Sequence, residues 1–343
     1  MKNIVKIKVY TLAMALFAGT IFNACERREL ENIYIDTALI PVRIDWSLSG
    51  VPVEGMHRAS IWFFPEDGGQ PMVFPMQTNL TYREITVPAG VYSALVFNET
   101  IEDSDWDGIV FTGTDSYKTF AAMSVPKQTR GFYTRSDTLP LINEPEALAA
   151  WSLDRFEVTP EMVTRTRSLA KNKPALEKEA PYLIGIKPLP RFERVVITAY
   201  VTNLSSSKQV TGTIDGMAAG VYMVSGEKIP QSAAHAFILN RRKYEANGND
   251  GTTTRAFNIF GRLPEQAKHN IAIDFLLAND SLLSAEFDAT NLIVADTEAI
   301  PPTHIIDLGY GNLTDNHPIT LPELSMSSGI SIDDWDEVII PIK

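Results

Sequence analysis

A single cysteine, Cys25, in 343 residues leaves no partner for an intrachain disulfide and excludes the disulfide-stapled architectures. Histidine is nearly as sparse. His57, His235, His269, His304 and His317 lie far apart, and none stands at metal-ligand spacing from another histidine, the cysteine or a paired acid, so the zinc signatures are absent. The chain also lacks a Gly-x-Ser-x-Gly elbow and a glycine-rich loop that opens a helix to cradle phosphate. Acids are plentiful, but any one of them is by default solvated surface, so no catalytic pair is assigned. Basic residues are in deficit, 30 against 42 acids for a formal charge of −12, and such a surface repels phosphate backbones and anionic headgroups. Nucleic acid is therefore not an expected partner, and neither a cofactor nor a metal is expected.

What is present begins at the N-terminus. Lys2, Lys6 and Lys8 form a basic start, and the 16 residues from Val9 to Ala24 carry no charge. That run is shorter than the ~20 residues of a membrane-spanning helix, so it reads as a secretory signal over residues 1–24. Cys25 follows at once. A cysteine in this place resembles the lipidation site of a bacterial lipoprotein, with the thiol acylated at the mature N-terminus; Phe22 and Asn23 depart from the usual preceding residues, and a buried free thiol is the plain alternative. Glu26-Arg27-Arg28-Glu29-Leu30-Glu31 then reads either as a solvated tether, residues 25–38, or as the acidic stretch found on surface-exposed lipoproteins.

Beyond the tether the dominant signal is a period of two. Val42 to Leu48 alternates apolar with polar, Ala59 to Phe64 ends in Pro65-Glu66-Asp67-Gly68-Gly69, Met72-Val73-Phe74 is a short apolar run, and Tyr82 to Val87 leads into Pro88-Ala89-Gly90-Val91-Tyr92. Short strands at this spacing predict an all-β sandwich or barrel. In the run from Val91, Leu95 and Phe97 share one face and Tyr92, Ala94 and Val96 the other. The second half reads alike, with Val195 to Thr202, Gln209 to Ile214, Ala236 to Leu239, Arg255 to Gly261, Ile271 to Leu277 and a terminal strand over Trp335 to Ile342. Ala-Gly-Val-Tyr returns at Ala219 to Tyr222, and long strands begin after Arg58 and after Arg194 at nearly the same separation, which predicts a duplicated fold with Tyr92 and Tyr222 at equivalent positions.

Between the halves, residues 126 to 180 are proline-punctuated and rich in arginine and lysine, and they read as a boundary or long connection, with tryptic-type processing as the less favoured account. Asn143 to Trp151 predicts a short helix, with Asn143 or Glu144 near its cap and Pro145 in the first turn. Asp103, Asp105 and Asp107, followed by Gly108, match the first half of a calcium loop; position twelve is Thr114 rather than glutamate, and a plain acidic loop is the better reading. Trp62, Trp106, Trp151 and Trp335 would stack on sugar rings if exposed, though most tryptophans are largely buried.

Together the start at Cys25, the Gly90 and Gly220 corners, Phe257-Asn258-Ile259-Phe260-Gly261 with Asn270 to Leu277, and Gly329 to Val338 resemble the fimbrillin-like lipoproteins of Bacteroidales. The resemblance implies two tandem transthyretin-like, Greek-key β-sandwiches, here over 39–140 and 181–343, with 141–180 as a connection holding the short helix. It implies a lipid-anchored protein at the outer membrane and cell surface of a Gram-negative bacterium, a fimbrial anchor, accessory subunit or adhesin without catalysis. Its partners would be the membrane, through acyl chains on Cys25, and fimbrial subunits. In polymerising relatives an arginine-specific cut frees a strand that a neighbour replaces. Arg27 and Arg28 precede the first predicted strand, which favours an anchor or tip over a stalk subunit. The alternative is a glycan-binding surface lipoprotein of a polysaccharide-uptake system.

Overall fold

The computed structural model describes residues 37–101, 108–127, 139–169, 185–263 and 268–323. The chain opens with β1 (Thr37–Arg43), β2 (Ala59–Pro65), β3 (Met72–Met76), β4 (Tyr82–Pro88) and β5 (Gly90–Phe97). Then come β6 (Ile109–Thr112), β7 (Ala121–Ser124), β8 (Leu141–Ile142), β9 (Ala149–Val158) and a helix, α1 (Pro160–Leu169). β10 (Leu189–Pro190), β11 (Glu193–Thr202), β12 (Ser207–Ala218), β13 (Gly220–Tyr222) and β14 (Ser232–Ile238) lead to a hairpin of β15 (Arg241–Tyr244) and β16 (Gly251–Ile259). The last described strands are β17 (Asn270–Leu277), β18 (Leu282–Asp288), β19 (Ile293–Asp296), β20 (Thr303–Leu308) and β21 (Ile319–Thr320).

The N-terminal half is layered around the sheet β10-β9-β5-β2-β3. One face packs on the β1-β4 pair through Ile61, Phe63, Tyr92, Ala94 and Val96, and the other packs on the sheet β13-β7-β6 through Trp62, Leu95 and Phe97. Both faces of β5 are thus buried, which is why its two alternating sets are both apolar. α1 closes the edge of β1. Thr159 Oγ1 accepts from the Met162 backbone N–H (3.3 Å) at the helix start, Pro160 occupies a first-turn position, and Thr166 Oγ1 takes the Leu39 N–H (3.1 Å). In the C-terminal half, β15-β16-β11-β20-β19 packs face to face on β18-β17-β12-β14-β8, with Val195, Ile197, Phe257, Ile273 and Phe275 between them. The fold is an all-β sandwich architecture, as expected. The halves interlock, since β13 pairs with β7 and β8 runs parallel to β14.

Three local expectations are corrected. Asn143 to Trp151 is not helical: residues 143–148 are irregular and β9 begins at Ala149, bonded to β5 within the region expected as a connection. Leu148, Ala149 and Ala150 are buried at this point, and Asn98 Oδ1 accepts from Ala149 N (2.7 Å). Burial between two cores outweighs the few tenths of a kcal/mol per residue that an alanine-rich run gains as helix. Second, the alternation of Val42 to Leu48 is an alternation of burial, but the strand stops at Arg43; Asp45 accepts from Ser47 N (3.0 Å) and opens a 3₁₀ turn at Trp46–Leu48. Third, Tyr92 and Tyr222 are not equivalent. β5 is a central strand between β9 and β2, whereas β13 has three residues and edges a different sheet.

Candidate interaction surface

The strand period leaves one broad face of the C-terminal sandwich outward. Along β11, Val195, Ile197, Ala199 and Val201 enter the core, so Val196, Thr198 and Tyr200 point away from it. Register then sets rows across the sheet. Ala256, Val196, Ile305 and Val294 align into an apolar row, with Val294 64% exposed on the edge strand β19. The next row is Arg241, Thr254, Thr198 and Asp307, and the next is Lys243, Thr252 and Tyr200, against which the Tyr310 ring lies at 5.7 Å.

The two edges of this sheet differ. β15 presents Arg241 and Lys243, charges that discourage strand addition. Where β15 ends, Glu144 covers β16: its carboxylate pairs with Arg255 (3.0 Å) and accepts the Asn258 N–H (3.0 Å). β19, at the other edge, has no second strand neighbour among the described residues.

Where the halves meet, a cleft of about 280 Å³ is lined by Leu189, Arg191, Glu193, Lys228, Phe260 and Ile300 among others. Glu193 binds Lys228 Nζ (2.7 Å) and His304 Nε2 (2.6 Å). Burial pushes its carboxyl up, but hydrogen bonds from His304 and Lys228 outweigh that and hold it below the usual range. Arg191 donates to the Met223 (2.9 Å) and Val224 (3.3 Å) carbonyls, tying the strand start to the β13 turn. The network fixes the seam, with His304 Nδ1 left buried and without a hydrogen-bond partner among the described residues.

Cys25, Arg27, Arg28, Asp103, Asp105, Asp107, Trp106 and Trp335 lie outside the described residues. His57 is exposed, His235 is buried beside Phe257, His269 contacts the Asp215 carbonyl (3.3 Å), and His317 stacks on Phe287 (4.4 Å). No group of three potential metal ligands occurs among the described residues. Trp62 is buried against Phe120 (5.2 Å) and Trp151 is half-buried, so neither forms an exposed sugar platform. The aromatic pair on this face is instead the exposed Tyr310 and the half-buried Tyr200, which sequence reading missed. Its members are far apart in the chain, and the only local signal is the Gly309-Tyr310-Gly311 turn.

Among solved structures, the chain shares its fold with a candidate adhesin of Bacteroides ovatus, at 18% identity and a TM-score of 0.56, covering 88% of this chain and 98% of that one. The fimbrial anchor protein Mfa2 of Porphyromonas gingivalis matches at 14% identity, TM-score 0.43, over 82% of this chain and 95% of its own. The candidate adhesin is of the kind the sequence resemblance names. No curated protein matches the chain. No helix among the described residues is long and apolar enough to cross a membrane. The model of one family fits residues 24–238, more than half of the sequence, and the chain belongs to that family, described as domain of unknown function DUF5119.

Proposed function

We propose that this protein is a lipid-anchored surface adhesin or fimbrial anchor or accessory subunit that works by binding other proteins, without catalysis, cofactor or metal. The observation that carries the reading is the shared fold: almost the whole of a candidate adhesin superposes on most of this chain. The signal-like start and Cys25 supply the address, with acyl chains on the thiol holding the protein in the outer membrane, exposed at the cell surface. One chain binds a bilayer only marginally, so several are required. The open edge of β19, next to the exposed Val294 and Ile305, offers a place for a protein partner. The division into sandwiches over 39–140 and 181–343 belongs to the same proposal.

Cys25→Ala is expected to move the protein from the membrane pellet to the soluble fraction, and cross-linking on intact cells is expected to capture fibre subunits. Retention of the alanine variant in membranes counts against anchoring, and recovery of an isolated monomer counts against the fimbrial role. The second reading, a glycan-binding surface lipoprotein, is favoured by one observation, the pairing of the exposed Tyr310 with the half-buried Tyr200 on an outward sheet face.

A further inference from the structure

Tyr310 is held in place by its loop. Gly309 (φ +82°) and Gly311 (φ +65°) flank it in the left-handed region, and a Cβ at Gly309 would collide with the Tyr200 carbonyl oxygen. Beneath them Asn316, 1% exposed, clamps the turn: its Oδ1 accepts from Gly309 N (2.6 Å), and its Nδ2 donates to the Asp307 carbonyl (3.1 Å) and to Asn312 Oδ1 (2.6 Å). The Tyr310 ring is therefore fixed while remaining 48% exposed, with its plane 34° from that of Tyr200. Ordering an aromatic before a ligand arrives removes part of the entropic cost of binding.

The surroundings are polar on every side the register defines. Thr252 and Lys243 continue the Tyr200 row, and Arg241, Thr254, Thr198 and Asp307 form the adjacent one. Burial first, then the charge of Asp307, the Tyr200 phenol and Glu245, raise the Tyr310 phenol, so two carboxylates lie near this ring. Two acids, Asp307 and Glu245, balance two bases, Arg241 and Lys243, on a chain whose formal charge is −12.

We propose that this face binds a neutral saccharide chain, with Tyr200 and Tyr310 stacking on successive pyranose rings and Thr252, Lys243 and Asp307 exchanging hydrogen bonds with the sugar hydroxyls. A pyranose has an apolar C–H face and a rim of hydroxyls, and its complement is an aromatic face bordered by small hydroxyl and charged side chains. A protein partner would instead seat apolar anchors at the centre of a wide desolvated patch. Here the aliphatic row is two rows away, beyond the threonines. An anionic polymer would meet the protein's net negative charge without an excess of cations at the site. The proposal rests neither on acylation nor on a fimbrial partner; it gives the glycan-binding reading a location and a ligand class.

The test uses the full chain in mild detergent, run through native gels containing xylan, galactomannan, mixed-linkage β-glucan or arabinogalactan, with polygalacturonate as the anionic comparison. Retardation by at least one neutral polymer is expected. Tyr310→Ala and Tyr200→Ala should each weaken it by about tenfold, while Tyr310→Phe, which keeps the ring, should retain most of it. Thermal melts of each variant establish that it is folded. The proposal is overturned by no retardation in any neutral gel, by retardation with polygalacturonate alone, or by undiminished retardation of folded Tyr310→Ala and Tyr200→Ala.

Discussion

Ala89-Gly90-Val91-Tyr92 and Ala219-Gly220-Val221-Tyr222 are the same four residues at two sheet-changing corners, and they bury opposite members. At the first, Ala89 is exposed and Tyr92 is 5% exposed, set edge-on against Phe63 at 5.8 Å with its hydroxyl donating to the Pro88 carbonyl (3.1 Å). At the second, Ala219 and Val221 are buried and Tyr222 is only half-buried. The pattern has slipped by one residue, which in a strand exchanges the faces. A short motif of this kind specifies a corner. What it packs against is decided by strands elsewhere: β5 lies between two cores, and β13 leans on β7 from the other half of the chain.

The largest test of this difference removes the rings. Tyr92→Ala empties a packed core site and is expected to cost about 3–5 kcal/mol, whereas Tyr222→Ala should cost below ~1 kcal/mol. Urea unfolding of the two variants measures both. Equal losses would mean the corners are equivalent after all.

The second test separates the cores by acid. His235 on β14 is wholly buried in the C-terminal sandwich, stacked beside Phe257 at 6.4 Å, and neither ring nitrogen has a hydrogen-bond partner among the described residues. Burial pushes it down to about 3, so it stays neutral in the fold. The unfolded chain takes up that proton near pH 6.5. Between those values the unfolded state binds more protons, and stability falls as pH falls, by up to ~1.4 kcal/mol per pH unit. His57, the histidine of the first half, is exposed rather than buried. Hydrogen exchange at pH 7 and pH 5 should show β12 and β14 amides losing protection before those of β5, and His235→Leu should flatten the slope. An unchanged slope in that variant would remove His235 as the cause.

Much of the strand content was legible because alternation is local: β2, β4, β5, β11, β16 and β17 all follow from residues two apart. What was illegible is what depends on distant chain. β20 runs parallel to β11 from more than a hundred residues away, and no local signal names that neighbour. Residues 143–151 carried helix formers and a first-turn proline, yet the slot beside β5 drew residues from Ala149 onward into a strand. The outward face of β11 follows the same division. The outward position of Tyr200 can be read from the alternation of β11, while the arrival of Tyr310 beside it depends on Asn316 and two glycines in a turn.

The remaining test bears most directly on why both corners carry glycine. Neither Gly90 nor Gly220 has a left-handed backbone, so alanine is conformationally acceptable at both and gains about 0.4–1 kcal/mol by restricting the unfolded chain. Space then decides. At Gly220 an added methyl would strike Met123 Sδ and the Ala122 carbonyl oxygen, both on β7, with Ile229 Cδ1 at 3.0 Å behind them. At Gly90 it would meet the Tyr92 ring, at 2.9 Å from the hydroxyl and 3.1 Å from Cζ, and a side chain can tilt where a backbone in a ladder cannot. Gly220→Ala is therefore expected to cost about 2–3 kcal/mol and Gly90→Ala about 1 kcal/mol or less, read as shifts in urea midpoint. Adding Met123→Ala to Gly220→Ala should recover only part of the loss, because the carbonyl belongs to the β7 main chain. Complete recovery would show that the thioether alone demands glycine there, and that the close approach of β13 to β7 leaves room for a side chain.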